Sequence, residues 1–240
     1  MGNLAAGRVN VVLAPGFMLD RDLWTDAQHG LQGIGDLTYA DFSRDGSIEA
    51  MSGRLLDDAP ERFVLIGFSM GGYVAREAAR RAPRRVLALV LIATSSREDS
   101  DIQAQRMAAV ARAPNLSKFT GLSRRSIASS LAADHADEAT IARIRAMGDR
   151  LGGEVFQRQS NLVRYSDTEC LADISCPTLV IAAAEDRLRS LAEAQELQEG
   201  IRQSTLITIA GSGHMIPMEA PESMVDAIAA WLGSLPGASP

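Results

Sequence analysis

Cysteine is nearly absent from this chain: Cys170 and Cys176 are the two among 240 residues. Two are too few for a disulfide framework, and their spacing fits neither a C-x-x-C redox pair nor a metal-ligand pattern. They read as free thiols of a reducing compartment. Histidine occurs three times, as His29, His135 and His214, which leaves little for a catalytic metal site. Lys118 is the lone lysine among 24 basic residues, and the formal net charge is −6. A nucleic-acid binder would carry a basic stripe, so no such partner is expected. No apolar run reaches the roughly 18–20 residues that span a bilayer, so no membrane partner is expected either. The start, Met1-Gly2-Asn3-Leu4-Ala5-Ala6-Gly7-Arg8, lacks the features of a signal peptide, and a cytoplasmic location is expected. Nine prolines and twenty glycines are too few for a disordered or fibrous class. What remains, 46% hydrophobic and 22% charged, suits an ordinary globular protein.

Short β-branched runs alternate with amphipathic stretches. Strands are expected at Val9–Leu13, Leu37–Ala40, Phe63–Ile66, Val86–Ile92, Thr178–Ala183 and Thr205–Ile209. They are near-continuous apolar runs, the mark of a parallel sheet covered on both faces. Helices are expected at Leu23–Gln32, Ser47–Asp57, Met70–Ala82, Ser190–Glu199 and Pro221–Leu232. This alternation builds an open α/β sheet with helices on both faces. Between about 100 and 167 there is no convincing strand, only helical pieces such as Ile102–Arg112 and Ala139–Gly148. Long insertions in compact domains are usually functional. The division expected is a core of residues 1–99 and 168–240 and a helical cap of residues 100–167, with helices packed on the flank as the plainer alternative.

The chemistry is concentrated in Gly67-Phe68-Ser69-Met70-Gly71, a G-x-S-x-G pattern between a strand and a helix. That setting is the one a nucleophile elbow requires: a sharp turn presents the serine hydroxyl above the sheet. Glycine stands on both sides because side chains there would strike neighbouring backbone. A hydroxyl needs a base within hydrogen-bonding reach, and His214, in the loop Gly211-Ser212-Gly213-His214 after the last strand, is the natural one. His29 and His135 are the rivals. The imidazole needs a carboxylate to fix its tautomer. Asp186 follows the strand Thr178–Ala183; Glu185, Glu98 and Asp99 are the alternatives. Ser69, Asp186 and His214 each follow the C-terminal end of a different strand, the edge where ligands assemble in open parallel sheets. Two oxyanion donors complete the set: the Met70 N–H, and one from the turn Ala14-Pro15-Gly16-Phe17-Met18, with Phe17 preferred and Met18 as fallback. The acyl pocket is expected to draw on Met107, Leu122, Met147 and Phe156, although apolar residues at helical spacing are more often core.

From Val11–Phe17 through Gly67–Gly72 and Cys176–Ile181 to Gly213-His214-Met215 and Glu219–Glu222, the chain resembles the α/β-hydrolase superfamily, in particular its small cytosolic bacterial esterase-like members. The order serine, aspartate, histidine agrees. The resemblance implies hydrolysis of an ester, thioester or lactone through an acyl-enzyme, without metal or organic cofactor, and a helical cap; where the full family sheet has eight strands, a minimal six-stranded one is expected here. A small acyl substrate as partner and a monomer or small homo-oligomer are expected. Pro15-Gly16 stands where many members have His-Gly. A C–C hydrolase or lyase on the same scaffold, or a ligand-binding protein without catalysis, are the alternatives.

Overall fold

The computed structural model describes residues 8–98, 119 and 121–236, and the structural statements below concern those residues. They form a six-stranded sheet: β1 (Val9–Ala14), β2 (Gly35–Tyr39), β3 (Phe63–Phe68), β4 (Val86–Ile92), β5 (Thr178–Ala183) and β6 (Ser204–Ile209). Every pairing is parallel, in the order β2-β1-β3-β4-β5-β6. The chain steps outward from β1 to β2, then returns past β1 to β3. The order therefore reverses between β1 and β3, which opens a crevice between the loops that follow them.

Successive residues of the strands feed two cores. Val11, Leu13, Val64, Ile66, Val90 and Ile181 face one side, with Leu31 of α1 (Gln28–Ile34), Ile144 of α5 (Glu138–Ser160) and Ile228 of α8 (Pro221–Ser234). Val12, Leu65, Leu89, Leu91 and Val180 face the other, with Met51 of α2 (Ile48–Asp58), Val74 of α3 (Met70–Arg81) and Leu197 of α6 (Leu191–Gly200). Burial on both faces is why these strands read as unbroken apolar runs. Each fully buried side chain of this size contributes about 1.5–3 kcal/mol. The four inner strands are almost wholly buried while β2 and β6 are half-exposed edges, so the inner strands form the firm platform.

Most boundaries shift by a residue or two, and three departures from expectation have a physical reason. The helix expected over Leu23–Gln32 is a 3-10 turn, Arg21–Trp24, followed by α1, because the Asp20 carboxylate accepts from the Asp22 N–H and starts a separate cap. β2 begins at Gly35 and ends at Tyr39; glycine carries no apolar signal for a strand. Beyond β4 lie α4 (Arg124–Ser129), a 3-10 turn at Ala133–His135, and α5, which runs past Gly148 to Ser160 with a kink at Gly152, φ 79°. The piece Ile102–Arg112 lies outside the described residues. No helix among the described residues is long and apolar enough to cross a membrane.

One buried charge anchors the flank of α3. The Arg76 side chain is fully buried, and its Nε and Nη2 each donate to a carboxylate oxygen of Asp167 at 2.9 Å. Arg80 adds a third bond to the same carboxylate at 2.8 Å. Burial pushes the Asp167 carboxyl up, and the two guanidiniums outweigh it, holding the group below the usual carboxylate range. Asp167→Asn is expected to cost about 3–5 kcal/mol at neutral pH, because it strands the Arg76 charge. The folded-state pKa lies below the unfolded one, so this contribution is present above the carboxylate range and is lost as pH falls through it. Urea denaturation of both proteins at neutral and acid pH should show the gap closing on the acid side.

Candidate active site

β3 ends at Phe68 and α3 starts at Met70, so Ser69 alone makes the strand-to-helix reversal, at φ 51° and ψ −113°. Such a conformation costs a non-glycine residue of order 1–3 kcal/mol and persists only where its surroundings over-determine it. They do so here. The Ser69 N–H donates to the Ile92 carbonyl at 2.9 Å, and its own carbonyl accepts from Gly72 N–H at 2.9 Å and from the Thr94 hydroxyl at 2.7 Å. The glycine after it is needed for close approach: a Cβ on Gly71 would lie 2.3 Å from the Ala14 carbonyl oxygen and 2.5 Å from that of Pro15. Gly71→Ala is therefore expected to cost about 1–3 kcal/mol in thermal stability. Because the collision pushes the elbow away from the turn after β1, any reaction that needs Ser69 in place should also slow, by about 10²-fold.

The structure brings Ser69, His214 and Asp186 together. Ser69 Oγ lies 3.0 Å from His214 Nε2, and His214 Nδ1 lies 2.8 Å from Asp186 Oδ2. A carboxylate can only accept, so Nδ1 carries the proton and Nε2 presents its lone pair to the Ser69 hydroxyl. Asp186 is held by its own turn: Oδ1 accepts from the Leu188 N–H at 2.7 Å and the Arg189 N–H at 2.9 Å. That turn runs into the capping box of α6, where Ser190 and Glu193 cap each other. Burial raises the Glu193 carboxyl and the Ser190 N–H bond lowers it, with a net shift below the ordinary value.

The histidine loop is braced by Glu219, at the end of α7 (Ile216–Glu219). Its Oε2 accepts from the Gly213 N–H at 3.0 Å and the Ala132 N–H at 2.8 Å, and its Oε1 from the Met215 N–H at 2.8 Å. One carboxylate thus holds the backbone on both sides of His214. The His214 N–H itself donates to the Ser130 carbonyl at 2.9 Å, just beyond α4.

Of the two N–H groups singled out as oxyanion donors, that of Met70 is at the first position of α3, where no acceptor exists within the helix. The Phe17 N–H makes no hydrogen bond among the described residues. The N–H of the fallback, Met18, is engaged: it donates to Gln159 Oε1 at 2.8 Å in a buried contact. Met18 is itself at φ 54°.

The rival groups stand elsewhere. His29 is exposed on α1, His135 half-buried in its 3-10 turn, and Glu185 and Glu98 exposed. Asp99 and Met107 lie outside the described residues. Leu122 and Phe156 pack in a small cluster with Phe17, Met18 and Phe119, whereas Met147 is fully buried in the main core as a packing residue. Both cysteines are free, and burial pushes the Cys176 thiol up to about 11, well away from a reactive thiolate. Nothing in the sequence singles out Gln159 or a bracing role for Glu219, although Glu219 falls in the segment Glu219–Glu222 that carries the resemblance.

A family model described as alpha/beta hydrolase fold matches residues 59–221. The chain is 26% identical to the biotin biosynthesis bifunctional protein BioHC of Cellvibrio japonicus (strain Ueda107), over 91% of this chain and 46% of that protein. It is 35% identical to the pimeloyl-(acyl-carrier protein) methyl ester esterase of Klebsiella pneumoniae (strain 342), over 38% of this chain and 39% of that one. The chain thus spans less than half the length of these curated relatives. A thermophilic esterase from Thermogutta terrifontis matches in structure with TM-score 0.82 and 26% identity, over 96% of this chain and 91% of that one. The enol-lactonase from Burkholderia xenovorans LB400 has TM-score 0.84 at 19% identity, over 95% of this chain and 93% of that one, a likeness of fold alone.

Proposed function

The chain belongs to the alpha/beta-hydrolase family, and on that premise we propose that it is a serine hydrolase cleaving a small carboxylic ester through an acyl-enzyme. The observation that carries this reading is the unbroken line from Asp186 through His214 to Ser69, at 2.8 and 3.0 Å, ending on a strained serine at the start of a helix. Ser69 Oγ attacks the acyl carbonyl carbon while His214 Nε2 takes the hydroxyl proton. The oxygen that becomes negative sits between the N–H groups of Met70 and Phe17, aided by the α3 dipole. The intermediate collapses, the C–O bond to the alcohol breaks, and His214 returns the proton to the leaving oxygen. Water then attacks the acyl-Ser69 ester by the same steps and releases the acid. Asp186 fixes the tautomer and steadies the imidazolium throughout.

Phe17, Phe119, Leu122 and Phe156 cluster beside the turn that would hold the oxyanion, which favours an apolar acyl group. The methyl ester substrate in the name of the Klebsiella relative suggests a small alcohol as the leaving group. Thioesters and lactones would pass through the same steps. We place α4 and α5 in a cap over this site, since Ser130, Ala132, Phe156 and Gln159 all contact its loops. The test is stoichiometric labelling of Ser69 by a fluorophosphonate, together with burst release from p-nitrophenyl esters of increasing acyl length. Folded protein that is neither labelled nor acylated would refute the reading.

A further inference from the structure

The Phe17 N–H can serve an oxyanion only if the turn after β1 keeps one conformation, and that turn is under strain. Met18 is a fully buried non-glycine residue at φ 54°. Relaxation to negative φ would rotate the Phe17–Met18 peptide and the side of the turn that faces Ser69. The Gln159 amide opposes this from the far side. Its Oε1 accepts the Met18 N–H at 2.8 Å, and its Nε2 donates to the Phe42 carbonyl at 3.2 Å. The residue is 2% exposed. Its orientation is unambiguous, because a flipped amide would set N–H against N–H at one end and oxygen against oxygen at the other.

The same stretch of α5 makes a second contact. Phe156, three residues earlier and so on the same helix face, meets the Phe17 ring edge-on at 5.8 Å between centroids. Before the Gly152 kink, Arg150 bonds Asp20 at 2.8 Å and Asp22 at 2.6 Å. The residues from Phe17 to Asp22 are thus held by α5 at three points.

We propose that Gln159 is a positioning residue for oxyanion stabilisation: it occupies the Met18 N–H, keeps the strained turn in place and leaves the Phe17 N–H facing the reaction centre. It touches neither substrate nor Ser69 and acts through the backbone. In consequence α5 belongs to the catalytic apparatus as well as covering it. This rests on the serine-hydrolase reading above.

The experiment compares wild type with Gln159→Leu and Gln159→Glu, measuring kcat and KM on a p-nitrophenyl ester and Ki for an alkyl boronic acid. The boronic acid forms a tetrahedral adduct whose oxygen needs the same donors as the transition state. Gln159→Leu should lower kcat by about 10- to 100-fold, less than or similar to outright loss of one donor. KM should stay nearly constant, and Ki should rise in proportion to the loss in kcat. Gln159→Glu, held neutral by burial, keeps a carbonyl acceptor for the Met18 N–H and an O–H donor for the Phe42 carbonyl, and should recover most of both. Gln159→Asn, too short to reach Met18, takes the place of the leucine variant if that one does not fold. Unchanged kcat in a folded leucine or asparagine variant overturns the proposal. So does a loss of kcat without a matching change in boronate Ki, or a glutamate variant as impaired as the leucine one. If the wild type neither turns over the ester nor is labelled at Ser69, the hydrolase reading itself has failed; an active wild type with an indifferent Gln159 sinks this inference alone.

Discussion

Ser69→Ala should lower kcat for an ester substrate by about 10⁶-fold, the scale on which loss of a nucleophile registers when nucleophile and base act as a unit. The substitution deletes the atom that would form the acyl bond. The Met70 and Phe17 N–H groups and the His214 imidazole would remain, so the variant should keep the acceleration of roughly 10³–10⁴ over water that binding and oxyanion stabilisation give alone. The fold should hardly notice. The elbow is fixed by backbone bonds to Ile92 and Gly72 and by the Thr94 hydroxyl, none of which uses the Ser69 side chain. The side chain's hydrogen bond goes to His214, and its loss should cost no more than about 0.5–1.5 kcal/mol. Steady-state turnover measured alongside thermal denaturation separates the two effects. Wild-type turnover in the folded variant would remove Ser69 from the chemistry.

The sheet was legible in the sequence because each inner strand is covered on both faces, which leaves an unbroken apolar run with no other economical reading. The elbow was legible because its constraint is local: the chain passes so close to the Ala14 and Pro15 carbonyls that position 71 is glycine. Asp186 and His214 stood out because each sits in the loop after a strand, at the sheet edge where ligands collect. What was hidden depends on partners remote in sequence with no periodicity to betray them. That the Met18 N–H is taken could not be read from the turn itself, since its acceptor is the Gln159 carbonyl oxygen, 141 residues away. Nor could Glu219 be recognised as a brace from composition, because two of its three bonds go to the backbone beside His214 and the third to Ala132. The length of α5 was underestimated because Gly148 and Gly152 interrupt the helical signal, while packing against the core carries the helix onward.

Asp186→Asn should lower kcat by about 10⁴-fold with the geometry nearly intact. The direction follows from how the carboxylate is held. Oδ1 accepts two backbone N–H groups, from Leu188 and Arg189. An asparagine must therefore place its carbonyl oxygen there, since the reverse orientation would set its NH₂ against two donors. Its NH₂ is then turned toward His214 Nδ1, which lies 2.8 Å from the other carboxylate oxygen in the native protein. The imidazole can answer only as an acceptor at Nδ1, so its proton moves to Nε2, the nitrogen facing Ser69. A protonated Nε2 cannot take the Ser69 proton, and the base is lost although no atom has moved far. Nitrogen-15 shifts of the His214 ring should report the exchange of tautomers, while KM stays nearly constant because ground-state binding is untouched. Glu185→Gln is the control: its side chain is exposed, and turnover should not change. A fully active asparagine variant, or a glutamine control as impaired as it, would mean that some other group orients the imidazole.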